Sequence, residues 1–152
     1  PNIIISADQD FVQLQSYLNV DQYDPINNRH IRNDDPRRFL EEHILDGDRG
    51  NGVPNILSDG DTFVTPNKRQ GTMTAKKISD FLSTAVDKWE NEKYRENWHR
   101  NKTLIDLRCV PEEIAKNIVV QFQSQLENRN HKIFDYLVKY QLVNLLDCVS
   151  EF

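Results

Sequence analysis

The sequence predicts an α/β chain in which a small partial sheet is followed by a mostly helical region. Three observations carry that expectation. A β-branched apolar run, Ile3-Ile4-Ile5, opens the chain and reads as a strand. An extended segment around Val20 to Tyr23 and a second around His30-Ile31-Arg32 flank the turn signal Pro25-Ile26-Asn27-Asn28, as the arms of a hairpin do. From Thr74 onward, apolar residues recur at helical spacing.

The elements follow in order. After the first strand, Phe11, Val12 and Leu14 begin a short helix or turn. Beyond the hairpin, Asp35 reads as an N-cap and Pro36 as the first helical residue, where a missing N–H costs nothing. The helix they open runs to Leu45 with Phe39, Leu40 and Ile44 on its apolar side, and Gly47 stops it. Gly47 to Pro66 is rich in Gly, Asp, Asn and Pro and should be mostly loop, its amides and carbonyls available to ions or phosphates. Ile78, Phe81, Leu82, Ala85, Val86 and Trp89 then define one amphipathic helix. Trp89, Tyr94 and Trp98 are read as core aromatics rather than base-stacking groups. Glu90 to Lys102 is strongly charged and extends that helix toward solvent, and Leu104 to Leu107 is a short apolar patch. Val110-Pro111-Glu112-Glu113 starts a further helix with the face Ile114, Ile118, Val119, Phe122 and Leu126, broken at Asn128 to Asn130. Ile133 to Leu146 supplies one or two packed helices.

Composition bounds the function. With 152 residues, 38% hydrophobic and 28% charged, the chain can bury a real core, and no long apolar segment reads as a membrane span. Cys109 and Cys148 are far apart without metal-type spacing, so neither a zinc site nor a disulfide framework is indicated and a reducing, intracellular setting is expected. The chain begins at Pro1, directly inside an apolar strand, so we expect a piece of a longer protein. A net charge of −5 excludes a uniformly basic surface but not a local cluster: Lys68, Arg69, Lys76 and Lys77 group together. That group reads either as a solvated face or as a set of phosphate contacts.

The chemistry-bearing residues are acidic. Asp8 and Asp10 end the first strand two residues apart; in extended chain they would point to one side, roughly 7 Å between Cα atoms. Such a pair suits divalent cations, which need hard oxygen ligands from several segments. Asp48, on a Gly-flanked loop, is a candidate to join them. Other constellations fail. Nothing matches a Ser/His/Asp signature or a P-loop, and His30, His43, His99 and His131 show no ligand spacing with one another and are read as surface or structural. Asp46 to Leu57 misses a calcium loop at Gly50, Asn51 and Leu57. An aspartyl-nucleophile phosphatase lacks its following Thr and a suitably placed Lys.

Ile5-Ser6-Ala7-Asp8-Gln9-Asp10-Phe11 with Gln13-Leu14, followed by Gly47-Asp48-Arg49-Gly50-Asn51-Gly52-Val53-Pro54, resembles the 5′ nuclease family of flap endonucleases and polymerase 5′ nuclease domains. Within it the likeness is to the carboxyl-terminal half of the T-even bacteriophage RNase H branch. Leu104-Ile105-Asp106, Ile114 to Val119, Lys132 to Lys139 and the ending Glu151-Phe152 extend it over essentially the whole chain. The resemblance implies the carboxyl-terminal part of a PIN-like fold: residues 1–47 complete the metal-binding α/β core, and 48–152 form a helical DNA-binding region with a helix-turn-helix-like clamp. It implies Asp8, Asp10 and Asp48 as ligands of a two-ion Mg²⁺ (or Mn²⁺) site, with Asn51 at the second ion. The ions would activate water against a phosphodiester, leaving a 5′-phosphorylated product. It implies a monovalent cation such as K⁺ at the clamp, and contacts to nucleic acid from Arg49, Gly50, Gly52, Lys68, Arg69, Lys76 and Lys77. Duplex or flap DNA and RNA–DNA hybrid would be substrates, in the cytoplasm of an infected bacterium, with replication accessory proteins as further partners.

Two departures qualify the resemblance. Asn51 stands where relatives carry a second acid, which removes a charge from the second ion position. The family's amino-terminal half, with the first-strand Asp, an acidic cluster and the arch, is absent from this sequence. The chain by itself is therefore expected to be inactive or strongly impaired, needing that half as a partner; the alternative is a non-catalytic remnant that binds duplex DNA or a replication partner.

Overall fold

A computed structural model describes residues 2–127, 129–146 and 149. The expected helix break at Asn128, Cys148 and the Glu151-Phe152 ending lie outside the described residues. Two compact units divide after Cys109, so the boundary expected at 47/48 falls inside the first unit, where the loop after residue 47 packs with what precedes it.

The first unit is the α/β part. Strand β1 (Asn2–Ile5) pairs in parallel with β2 (Val20–Asp24), Asn2 opposite Val20 and Ile5 opposite Tyr23; β2 pairs antiparallel with β3 (Arg29–Ile31). The order is β1-β2-β3, which leaves β1 at an edge with Ile3 61% and Ile5 71% exposed. The β2–β3 turn closes on Asp24, whose carboxylate accepts from the Ile26 and Asn27 amides and the Asn27 side chain. Parallel pairing needs a crossover. Here a 3₁₀ helix over Gln9–Ser16 supplies it.

Helix α1 (Pro36–Asp46) starts as its sequence dictates, with the Asp35 carboxylate accepting from the Arg38 amide at 3.0 Å and Pro36 in the first turn. It ends at Gly47, whose φ of +74° few side chains tolerate. Its buried face joins two apolar clusters: Leu40 and Ile44 pack with Val53 and Ile105, and Leu45 packs with Ile56 and Trp89.

The single helix expected from Thr74 through Trp89 is shorter. Helix α2 (Ala75–Leu82) is capped by Thr74 and stops at Ser83; a separate 3₁₀ turn covers Val86–Lys88. Packing decides this. In one continuous helix Phe81 and Trp89 would stand about 12 Å apart along the axis. Folding back brings their rings to 4.7 Å, edge to face, and lets the Trp89 indole donate to the Thr84 carbonyl.

Helix α3 (Glu92–Ile105) also differs from expectation: it does not project into solvent but buries Asn97, Asn101 and Ile105. Its Asn97, Asn101 and Arg100 side chains donate to backbone carbonyls of the 44–58 region. Trp89 is core as expected, and Trp98 packs against both clusters.

The second unit holds α4 (Glu112–Glu127), α5 (Arg129–Lys139) and α6 (Val143–Leu146). The sequence-predicted apolar face of α4 is there, yet Ile114, Ile118, Val119, Phe122 and Leu126 are all exposed. Leu137 of α5 is buried.

Candidate metal centre

Asp8 and Asp10 do not both continue the strand. β1 ends at Ile5, and the Asp8 carboxylate accepts the Asp10 amide at 3.0 Å, turning the chain into the 3₁₀ helix. This cap corrects the expectation of two carboxylates on one side of an extended segment. Asp10 therefore sits in the first turn, half-buried. Burial, and next the charge on Asp8, push its carboxyl above the usual carboxylate range; His43 opposes the shift and Asp48 adds to it.

His43 lies in the last turn of α1, one turn after Phe39, whose ring stacks on the imidazole at 6.0 Å and 18°. Its Nε2 comes within 3.3 Å of Asp10 Oδ1 but is not aligned for a hydrogen bond, so this buried nitrogen has no hydrogen-bond partner. The histidine read from sequence as surface or structural faces the acidic cluster.

Asp48 is delivered by the helix stop. Gly47 is buried, and a Cβ there would sit 2.5 Å from the Val53 carbonyl oxygen. The following loop closes with the Val53 amide donating to the Asp48 carbonyl at 2.7 Å. Asn51 holds the Asp48 carboxylate from both ends: its amide N–H donates to Oδ1 at 3.1 Å and its side-chain nitrogen to Oδ2 at 2.5 Å.

The outcome is a convergence of three segments. One donor atom each from Asp10, His43 and Asp48 falls within 4.8 Å of the others. Ligands around one first-row ion, each about 2.0–2.2 Å from it, are up to about 4.4 Å apart, so modest side-chain rotation closes the set on a cation. The donors fit a divalent ion. Asp8 stands beside this group as a cap.

Residues 39–152 match the protein family described as T4 RNase H, C terminal. The chain belongs to this family. It is 29% identical over 157 residues to the Ribonuclease H of Enterobacteria phage T4, covering 99% of this chain and 51% of that protein. The chain spans about half the length of the curated relative it matches. The 5′ nuclease resemblance drawn from the motifs is thereby borne out.

In this T4 RNase H family member the cluster rests on buried amides with little trace in the sequence. Gln22, fully buried, donates to the Ser6 and Asp8 carbonyls at 2.9 and 2.7 Å, fixing the exit from β1. Asn101 donates to the Ile44 and Pro54 carbonyls, both at 2.9 Å. Asn55, also fully buried, donates to the Gly71 carbonyl and accepts from Leu57 and Ser58. Sequence reasoning missed His43. The available signal was its place one turn before the Gly47 stop, on a helix aimed at Asp48.

The basic candidates are placed unequally. Arg49, Arg69, Lys76 and Lys77 are exposed, as are Gly50 and Gly52. Lys77 donates to the Thr72 carbonyl at 2.7 Å. Lys68 is engaged by Asp59 at 2.8 Å and by Asp61, which diminishes it as a phosphate contact. A separate cleft of about 560 Å³, bordered by Gln13, Arg37, Trp98 and Arg108, does not include Asp10, His43 or Asp48. Among the described residues, no helix is long and apolar enough to cross a membrane.

Proposed function

We propose that this chain is the carboxyl-terminal portion of a divalent-metal-dependent 5′ to 3′ exonuclease and flap endonuclease that removes RNA primers or flaps during DNA replication. The observation that carries the reading is the meeting of Asp10 and Asp48 from two segments, beside Asp8, in a member of the T4 RNase H family. Bound Mg²⁺ or Mn²⁺ would supply charge stabilisation and an activated water for phosphodiester hydrolysis. Asp8, Asp10 and Asp48 would hold the ions, with the Asn51 side-chain oxygen as a neutral contact. Exposed Arg49, Arg69 and Lys76, with the amides of Gly50 and Gly52, would contact the phosphate backbone without reading sequence. Lys68 and Lys77 would lend positive potential, and a K⁺ ion at the loop would bridge to duplex phosphate. An amino-terminal half would complete both the ligand set and the sheet, and the exposed Ile3 and Ile5 at the edge of β1 support that need.

A second reading has its own support: the Asn51 amide takes a carboxylate oxygen of Asp48 where an acid would leave it to an ion. In that reading the chain binds duplex DNA or a replication partner without cutting. The test uses an end-labelled 5′-flap duplex with Mg²⁺ or Mn²⁺, the chain alone and with an amino-terminal half from a relative. Cleavage that needs the added half and disappears with Asp10→Asn supports the nuclease; DNA retention without cutting in every mixture supports the binder.

A further inference from the structure

We propose that His43 is a metal ligand, completing with Asp10 and Asp48 a mixed nitrogen and oxygen site selective for a divalent first-row transition ion over Mg²⁺. The inference deepens the nuclease reading and rests on it only in taking Asp10 and Asp48 as ligands.

Three features of the geometry point there. The Nε2 atom of His43 is buried, has no hydrogen-bond partner, and lies 3.3 Å from Asp10 Oδ1. Buried polar nitrogens are nearly always hydrogen-bonded, so one that meets a carboxylate at 3.3 Å outside hydrogen-bond geometry, with a second carboxylate nearby, marks a place for a third body. The ring is also held in place. Phe39 stacks on it at 18°, and α1 terminates at Gly47 immediately afterwards, so the imidazole and Asp48 belong to one short, tightly folded stretch. Finally, the Asp48 carboxylate is oriented by two Asn51 N–H groups, which leave lone pairs on both oxygens directed elsewhere.

The donor chemistry sets the preference. Mg²⁺ takes carboxylates and waters and seldom accepts imidazole, whereas affinities of nitrogen-containing sites rise from Mn²⁺ through Co²⁺ to a maximum at Cu²⁺ and stay high at Zn²⁺. Replacing one charged oxygen ligand by a neutral nitrogen lowers the site's charge and moves it toward that series. Asn51, neutral as well, acts in the same direction.

The test is direct binding by the full 152-residue chain. Free Mn²⁺ is followed by electron paramagnetic resonance, with Mg²⁺ as competitor, in the wild type, His43→Ala, His43→Gln and Asp10→Asn, circular dichroism confirming that each variant is folded. We expect His43→Ala and His43→Gln each to weaken Mn²⁺ by roughly tenfold or more, the scale of disturbed metal shells, while Mg²⁺ changes little. In a second measurement, Zn²⁺ should shift the ¹⁵N resonance of His43 Nε2 and leave Nδ1 nearly in place. Equal Mn²⁺ affinity in wild type and both His43 variants, with loss in Asp10→Asn, overturns the inference and leaves the nuclease reading intact. Tighter binding in His43→Ala also overturns it, showing that the imidazole hinders the ion rather than holding it. Absence of Mn²⁺ binding at about 1 mM overturns the inference; cleavage with the amino-terminal half added then decides the nuclease reading independently.

Discussion

Replacing Asn101 should unfold the first unit more readily than its small polar side chain suggests. Its amide nitrogen donates at 2.9 Å to the Ile44 carbonyl and at 2.9 Å to the Pro54 carbonyl. The two acceptors differ. Pro54 O also accepts from Arg100 at 3.0 Å and keeps a partner, whereas Ile44 O is one of the last carbonyls of α1, beyond the reach of further helix amides. Asn101→Ala thus forfeits one net hydrogen bond to carbonyl, about 0.5–1.5 kcal/mol, and strands one buried carbonyl, about 1–3 kcal/mol; the bond that Arg100 Nε donates to Asn101 Oδ1 at 3.0 Å adds little, because that guanidinium keeps Asn97 and Pro54 as acceptors. The sum is about 2–4 kcal/mol, a large fraction of a typical domain's stability.

Urea unfolding followed by tryptophan fluorescence measures it, because both tryptophans, Trp89 and Trp98, lie in the first unit. The midpoint should fall by about 1–2 M with an unchanged slope. Asn101→Asp is the decisive companion. It keeps the shape and the contact from Arg100 Nε, but it removes both donors and directs a buried carboxylate at two carbonyl oxygens, a repulsion larger than that one contact offsets, so it should cost more than alanine. A loss below about 1 kcal/mol for alanine, or an aspartate variant as stable as the alanine variant, would refute the assignment of Asn101 as the cap of α1.

Three further outcomes are expected. Gly47→Ala should cost about 2–4 kcal/mol in urea unfolding, since a Cβ there meets the Val53 carbonyl oxygen at 2.5 Å and φ is +74°. Asp59, held down to about 2 by hydrogen bonds from Lys68 and then Lys93, should stabilise the fold fully above the ordinary carboxylate range and lose that contribution as pH falls through about 2; the urea-midpoint gap between wild type and Asp59→Asn should therefore close on acidification, and a widening gap would reverse the sign. Asn51→Asp removes a donor to Asp48 and adds a like charge, so its melting temperature should fall in EDTA and recover in about 10 mM Mg²⁺ more than the wild type's does.

The local elements were legible because their causes are local. Asp35-Pro36 and Gly47 bracket α1, and the β2–β3 turn closes on the Asp24 side chain four residues or fewer from its partners. Where sequence failed, distant residues decided. Phe81 and Trp89 have helical spacing, and only the gain from stacking them face to edge shows why the helix breaks at Ser83. Glu90 to Lys102 reads as solvated by composition, yet Asn97 reaches the Ile56 and Ser58 carbonyls some forty residues away. Of the cluster, Asp10 and Asp48 were legible as acids in motifs. His43 was not, since its relation to Asp10 exists only after α1 packs on the 3₁₀ helix.

That packing is registered by one helix. Asn101 and Ile105 stand four residues apart on α3 and so share a face. Asn101 holds Ile44, inside the His43 to Asp48 stretch, and Pro54, six residues beyond it. One turn on, the Ile105 carbonyl accepts from Gln13 at 3.1 Å, and the Leu107 amide donates back to the same side chain at 2.9 Å, fixing the 3₁₀ helix that carries Asp10 in its first turn. The separation between the two carboxylate-bearing segments is therefore set by a single turn of α3 together with the direct packing of α1 on the 3₁₀ helix. Gln22 holds the Asp8 carbonyl, α3 holds neighbours of Asp10 and Asp48 in the chain, and the crowding of like charge shows in the raised carboxyl of Asp10. The role of α3 here lies in buried Asn101, which composition alone would assign to surface, and in Ile105 one turn later.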